Sequence, residues 1–167
     1  MRPIGLTSHL NGMAVADQPD RQEPGMFERI AVAFDGSPGA WHALASAISL
    51  AKVLNAQLHT VTVVEPSAYE PYVEAVPLFS QVLSKDRLEF YEGLQQRAAI
   101  EGERHDIAIQ THLVTGDEVE AVVAFLSEQK MDLVVIGLHR YTPRVARLWS
   151  TVDALAQEAP CSILGVH

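Results

Sequence analysis

Between Gly137 and Thr151 the chain reads GLHRYTPRVARLWST, a stretch whose residue types and spacing suit an anion. It follows an apolar run, DLVVI, and leads into TVDALAQEA. A strand that ends in glycine, then a loop, then a helix start is how an open α/β sheet builds a phosphate site. The first N–H groups of a helix lack intrahelical partners and carry partial positive charge. Arg140, Arg144 and Arg147 add a basic cluster, and guanidinium groups bind phosphate oxygens directly. The plainer reading of these arginines is a solvated face paired with acidic neighbours. Ser150 and Asp153 also form an S-x-x-D pattern, close to a capping box. That pattern predicts Ser150 as N-cap of a helix from Thr151 to Ala159. Asp153 would then occupy the first turn and repel an arriving phosphate.

Other chemistry is poorly provided for. DGSPG at Asp35–Gly39 lacks the spacing of a G-x-S-x-G nucleophile elbow, and there is no complete G-x-x-x-x-G-K-[ST] loop. Seven histidines are scattered with no H-x-x-x-H or H-E-x-x-H pair, so no metal site is expected. His139 lies in the loop after Gly137, around which the chain is organised, and reads as a surface histidine. Cys161 is the single cysteine, which excludes an intrachain disulfide, and burial as a small apolar residue is expected of it. Asp35 suits hydrogen bonding to a hydroxyl or to the turn after it. No acid and base pair marks the chain as an enzyme, and the expectation is a non-catalytic protein.

These residues need a scaffold, and the chain has the means for one. Its 167 residues suffice for a single domain with a full core. Mean hydropathy is +0.08, ordinary for a globular protein. A formal charge of −9 argues against general nucleic-acid binding, which rests on phosphate neutralisation by Lys and Arg. No apolar run is long enough to span a bilayer and no secretory signal is evident, so a cytoplasmic location is expected.

Met1 to Gly25 lack periodicity and read as a flexible leader outside a domain spanning 26–167. Ile30–Phe34 is a continuously apolar strand. Ser37 and Pro38 then open a helix running to about Leu54, with Asn55 as its stop. A second strand is expected over Gln57–Glu65, followed by an irregular acidic connector to Pro77 that reads as a variable surface loop. A long helix follows over Leu78–Glu103, with Val82, Leu88, Tyr91, Leu94 and Ala98 as its buried stripe. Strand Ile107–Val114, a turn at Gly116-Asp117 and a helix burying Val119, Val122, Val123 and Leu126 come next. Strand Leu133–Ile136, the organising loop, its helix and strand Ser162–Val166 complete the chain. Such alternation predicts an α/β fold, an open sheet of five mainly parallel strands with helices on both faces. Ligands of such sheets sit beyond the carboxyl ends of the strands, where Asp35, Val63 to Glu65 and Gly137 converge.

IAVAFDGSPGA at Ile30–Ala40, DLVVIG at Asp132–Gly137 and APCSILGV at Ala159–Val166 resemble, in order and at the expected spacing, the universal stress protein family. The resemblance begins at about Phe27 and reaches the C-terminus. It implies a Rossmann-like five-stranded sheet and a stress-response binding or signalling module, homodimeric in most members. Members with a full motif (Gly, two residues, Gly, nine residues, Gly, then Ser or Thr) bind ATP or another adenine nucleotide. Here that spacing runs Gly137, Arg140, Ser150 and Thr151, so one glycine of three and the hydroxyl position are retained. The resemblance also implies that Asp35 meets ribose or adenine, that Val63 lines the adenine pocket, and that Ile136 and Val152 flank the site. Arg140 either blocks the loop or replaces glycine contacts with a charged one. Two readings therefore stand open. One is a nucleotide-sensing module; the other is an interaction protein of the same fold without nucleotide.

The last strand, Ser162, Ile163, Leu164, Gly165 and Val166, is expected at the sheet edge. Unprotected edges invite pairing with another chain. The family pairs this strand with its copy, so a homodimer through it is expected, along with an unidentified protein partner.

Overall fold

The computed structural model describes residues 27–64, 77–138 and 146–167, with side chains described outside 77–85 and 146–151. Five strands and four helices alternate among these residues: β1 (Arg29–Ala33), α1 (Pro38–Leu54), β2 (Gln57–Val64), α2 (Pro77–Arg104), β3 (Ile109–Thr115), α3 (Glu118–Glu128), β4 (Leu133–Gly137), α4 (Ala146–Glu158) and β5 (Ser162–Val166). The strands form one sheet in the order β3-β2-β1-β4-β5, and every pairing is parallel. The expected fold class therefore holds.

Alternation along each strand divides the core into two layers. Ile30, Val32, Leu58, Leu133 and Val135 face α1 and α2, where Leu44, Ala47, Ile48, Leu94 and Ala98 meet them. Ala31, Val61, Val134 and Ile136 face the other way, toward Val122, Phe125 and Leu126 of α3 and Leu155 of α4. Because helices cover both faces of the sheet, with Ile30 and Val32 packed on one side and Ala31 on the other, β1 reads as an unbroken apolar run.

Local signals set the element ends. The Ser37 hydroxyl accepts from the Ala40 N–H at 3.2 Å, Pro38 follows at the first helical position, and Asn55 closes α1 in a left-handed conformation at φ 54°. Asp117 caps α3 by accepting from the N–H groups of Val119 and Glu120. β3 starts two residues later than the sequence pattern predicts. Asp106, at φ 56°, and a hydrogen bond from the Ile107 N–H to the Gly102 carbonyl first turn the chain out of α2.

One member of the predicted α2 stripe faces solvent. Leu94 and Ala98 are buried and Tyr91 half-buried, but Leu88 is 47% exposed. Six residues separate Leu88 from Leu94, which turns it about 120° away around the helix. Val82 falls among the side chains outside the described set. The leader at 1–25 and the connector from 66 to 76 lie outside the described residues as well, and Pro77, the connector's last residue, lies in α2.

A buried polar bridge fastens α2 to the sheet. Gln95 is 4% exposed; its amide donates to the Thr62 hydroxyl at 2.6 Å and to the His112 carbonyl at 3.0 Å. Its side-chain oxygen accepts from the Thr60 hydroxyl at 2.5 Å. Thr62 in turn donates to the Phe34 carbonyl. Each buried hydroxyl thus has a partner, as low-dielectric surroundings require.

Candidate functional site

The sheet order reverses direction at β1 and β4. The chain leaves β1 into a helix on one face and leaves β4 toward a helix on the other. Their carboxyl ends therefore mark the topological switch point, where ligands of open α/β sheets bind. Asp35 follows β1 and Gly137 ends β4, so the fold brings these two predicted site residues to the same end of neighbouring strands.

Asp35 is exposed, and one of its carboxylate oxygens accepts from the Ser37 N–H at 2.9 Å. That bond shapes the turn entering α1. Gly36 makes the turn possible at φ 77°, packed so that a Cβ there would lie 2.4 Å from Leu94 Cδ1. Gly137 is tighter still. A Cβ on it would lie 2.2 Å from the Gly39 carbonyl carbon and 2.6 Å from the Ala40 nitrogen. The first turn of α1 thus requires glycine here independently of any ligand. Just past Gly137, the Leu138 N–H donates to the Val166 carbonyl at 2.6 Å, which ties the start of the loop to β5.

Val63, Ile136 and Val152 all belong to the apolar layer under α3 and α4. Ile136 is 7% exposed, and the two valines are half-buried against the same cluster. Arg140 lies outside the described residues, as do Arg144 and His139. Ser150 and Thr151 lie within α4, and their side chains are outside the described set.

The start of α4 differs from expectation. The helix begins at Ala146, so Ser150 is a helical residue and not its N-cap. Asp153 is correspondingly not in the first turn. It is exposed and accepts from the Gln157 side chain at 3.0 Å, an i,i+4 contact on the helix surface. The physical reason lies in Ala146, Arg147 and Leu148, which are strong helix formers, with no breaker between them and Thr151. The capping pattern is mimicked within a helix that continues upstream of it.

Cys161 is half-buried, and burial, then the nearby Asp132 carboxylate, push its thiol up, which keeps it protonated and unreactive. Asp132 has a structural role: its Oδ2 accepts from the N–H groups of Glu28 and Arg29. Among the described residues no group of three or more His, Cys, Asp or Glu is arranged to hold a metal ion, and no helix is long and apolar enough to cross a membrane.

Sequence spacing gave no sign of one polar cluster. His59 on β2 and His112 on β3 stand 53 residues apart in sequence, yet their ring nitrogens Nδ1 and Nε2 lie 3.1 Å apart. The rings stack at 5.3 Å between centroids. The only available signal was two histidines in neighbouring apolar strands, each at a position facing the same layer.

The geometry defines a Rossmann-like parallel α/β protein whose topological switch point lies between β1 and β4. The universal stress protein family model matches residues 26–167, and the chain belongs to that family. A universal stress protein of Thermus aquaticus, encoded 3′ of a QAH/OAS sulfhydrylase, is 33% identical over 147 residues, covering 85% of this chain and 100% of the relative. A family structure from Burkholderia pseudomallei aligns with TM-score 0.65 and 27% identity, covering 84% of this chain and 96% of the other. A universal stress protein solved in complex with cAMP aligns with TM-score 0.61 and 23% identity, covering 84% and 97% of the two chains, a likeness of fold.

Proposed function

We propose that this protein is a stress-response binding module that senses an adenine nucleotide at the carboxyl ends of β1 and β4. The observation that carries this reading is the approach of Asp35 and Gly137 at the topological switch point, ahead of a helix reached with family spacing. In this reading Asp35 receives the ribose, using the carboxylate oxygen that the Ser37 N–H leaves free. Val63, Ile136 and Val152 provide the apolar side of the pocket. The phosphates meet Arg140, the N–H groups at the start of α4, and the hydroxyls of Ser150 and Thr151. The cAMP complex of a structural neighbour supports the choice of an adenine nucleotide.

The module binds and signals without catalysing a reaction, acts in the cytoplasm, and works as a homodimer joined through β5. Among the described residues β5 has a strand on one side only, and that edge is what a second copy would pair with.

One observation favours the second reading, a dimeric interaction protein without nucleotide. The contact of Gly137 with Gly39 accounts for the single retained glycine on packing grounds alone. Calorimetric titration of the full chain with ATP, AMP and cAMP decides between the two. Micromolar or tighter binding of any of them supports the sensing module. Absence of both heat and thermal stabilisation with all of them overturns it and leaves the interaction protein.

A further inference from the structure

α3 rests on a buried imidazole pair. His59 is fully buried on the α3 face of β2, hydrogen-bonded through Nδ1 to His112 Nε2. His112 in turn lies 4.8 Å from the Phe125 ring of α3, centroid to centroid. The second ring nitrogen of His59, Nε2, is buried with no hydrogen-bond partner among the described residues, and Arg29 Nε is in the same condition.

Proton counting shows what this arrangement tolerates. A neutral pair holds two protons on four ring nitrogens. One proton sits between the rings, and the other occupies an outer nitrogen. A third proton fills both outer nitrogens, so His59 Nε2 becomes a buried N–H with nothing to donate to. A fourth puts two protons between Nδ1 and Nε2, which abolishes the hydrogen bond. Each added charge also lies in the field of the Arg29 guanidinium.

We propose that the His59–His112 pair is an acid-sensitive latch beneath α3, and that proton uptake by the pair releases α3 and uncovers the apolar layer under Val122, Phe125 and Leu126. Groups on every neighbouring element bear on this. β1 contributes Arg29 and β3 contributes His112. From α3 the buried residues are Val122, Phe125 and Leu126, from β4 Val134 and Ile136, and from α4 Leu155, none of them ionisable. On α3 and its cap, Asp117, Glu120 and Glu128 are exposed, while Glu118 is half-buried and engaged in an interaction of its own. Asp132, before β4, has its Oδ2 occupied by backbone N–H groups.

Burial, then His112 and Arg29, hold His59 down at about 4 from its ordinary 6.5. Burial and Arg29 lower His112 as well. Both shifts favour the neutral form in the folded protein, so the unfolded chain binds more protons in acid. The stability they contribute is present above 6.5 and is lost as pH falls toward 4. Release falls on α3 because β3 is held from the opposite face, where Gln95 donates to the His112 carbonyl.

Hydrogen exchange of the full chain at about pH 7.5 and about pH 5, corrected for intrinsic chemical rates, tests the latch. Protection of the amides from Val122 to Leu126 should fall about tenfold or more relative to those from Ala43 to Ile48 in α1. The double variant His59→Gln, His112→Gln should lose this difference. Equal loss in α1 and α3, no loss in acid, or undiminished loss in the double variant overturns the proposal. If the double variant does not fold, ring titration in the wild-type protein decides. The α3 opening midpoint must coincide with titration of the two rings, and a midpoint at a different pH overturns it.

Discussion

Gly137 stands against Gly39 so closely that the two backbones leave no space for a side chain between them. A Cβ on Gly137 would lie 2.3 Å from the Gly39 carbonyl oxygen as well as 2.2 Å from its carbon. Both atoms belong to backbone in the first turn of α1, which Ser37 and Pro38 fix in place. The clash therefore cannot be relieved by a rotamer change, and either β4 or α1 must move. Gly137→Ala is expected to destabilise the protein by about 1–3 kcal/mol. Each kcal/mol lowers Tm by about 2–4 °C in a chain of this size. A thermal melt within a degree of wild type would show that the two elements shift apart freely.

The Gln95 bridge yields a second expectation. Gln95→Leu keeps the side-chain bulk but removes the acceptor of the Thr60 hydroxyl and the donor to Thr62 and the His112 carbonyl. Thr62 retains the Phe34 carbonyl, so Thr60 is the group left buried without a partner. A loss of about 1–3 kcal/mol is expected in chemical denaturation. A variant as stable as wild type would mean that water enters between α2 and β2 to replace the amide.

The contrast between α1 and α4 shows where the sequence could be read and where it could not. For α1, capping chemistry and the apolar period point to the same residues, and Ser37, Pro38 and Asn55 mark its ends without competition. Central strands were equally plain, since Ile30 to Val32 and Leu133 to Ile136 are covered on both faces and carry no polar residue. At α4 two local rules conflict. Ser150 and Asp153 imitate a helix start, while Ala146 to Leu148 favour continuing helix, and propensity over the upstream turn prevails. At the candidate site, Asp35 and Gly137 were legible because strand ends converge by topology. His59 and His112 were not, because their meeting depends on the register of β2 with β3, where Val61 stands opposite His112. No local spacing encodes that register.

Asp153 offers a direct test of that revised helix start. As an exposed residue whose bond among the described residues is to Gln157 in its own helix, it should matter little. Asp153→Ala is expected to change stability by less than about 0.5 kcal/mol. A cap residue in the first turn would cost about 1 kcal/mol or more. A loss of that size in denaturant titration would restore the helix start at Thr151.

The β5 edge permits a sharper test of dimerisation than an apolar-to-charged change. Ile163 packs in the apolar layer with Val134 and Cys161, so lysine there would disturb the fold before it probed an interface. Backbone groups separate the two effects. The Ser162 N–H donates to the Asp132 carbonyl and the Val166 carbonyl accepts from Leu138. Residues 162, 164 and 166 therefore turn their backbone groups toward β4, and Ile163 and Gly165 turn theirs outward. Gly165 is exposed, and the nearest atoms a Cβ there would meet belong to the Leu138 side chain. Gly165→Pro removes an outward N–H and leaves the β4 ladder intact. In the proposed dimer this variant should shift mass in light scattering toward monomer, while Gly165→Ala, which controls for crowding at Leu138, stays dimeric. If wild type and both variants share one mass, the β5 edge takes no part in self-association, and any dimer is built from another face of the molecule.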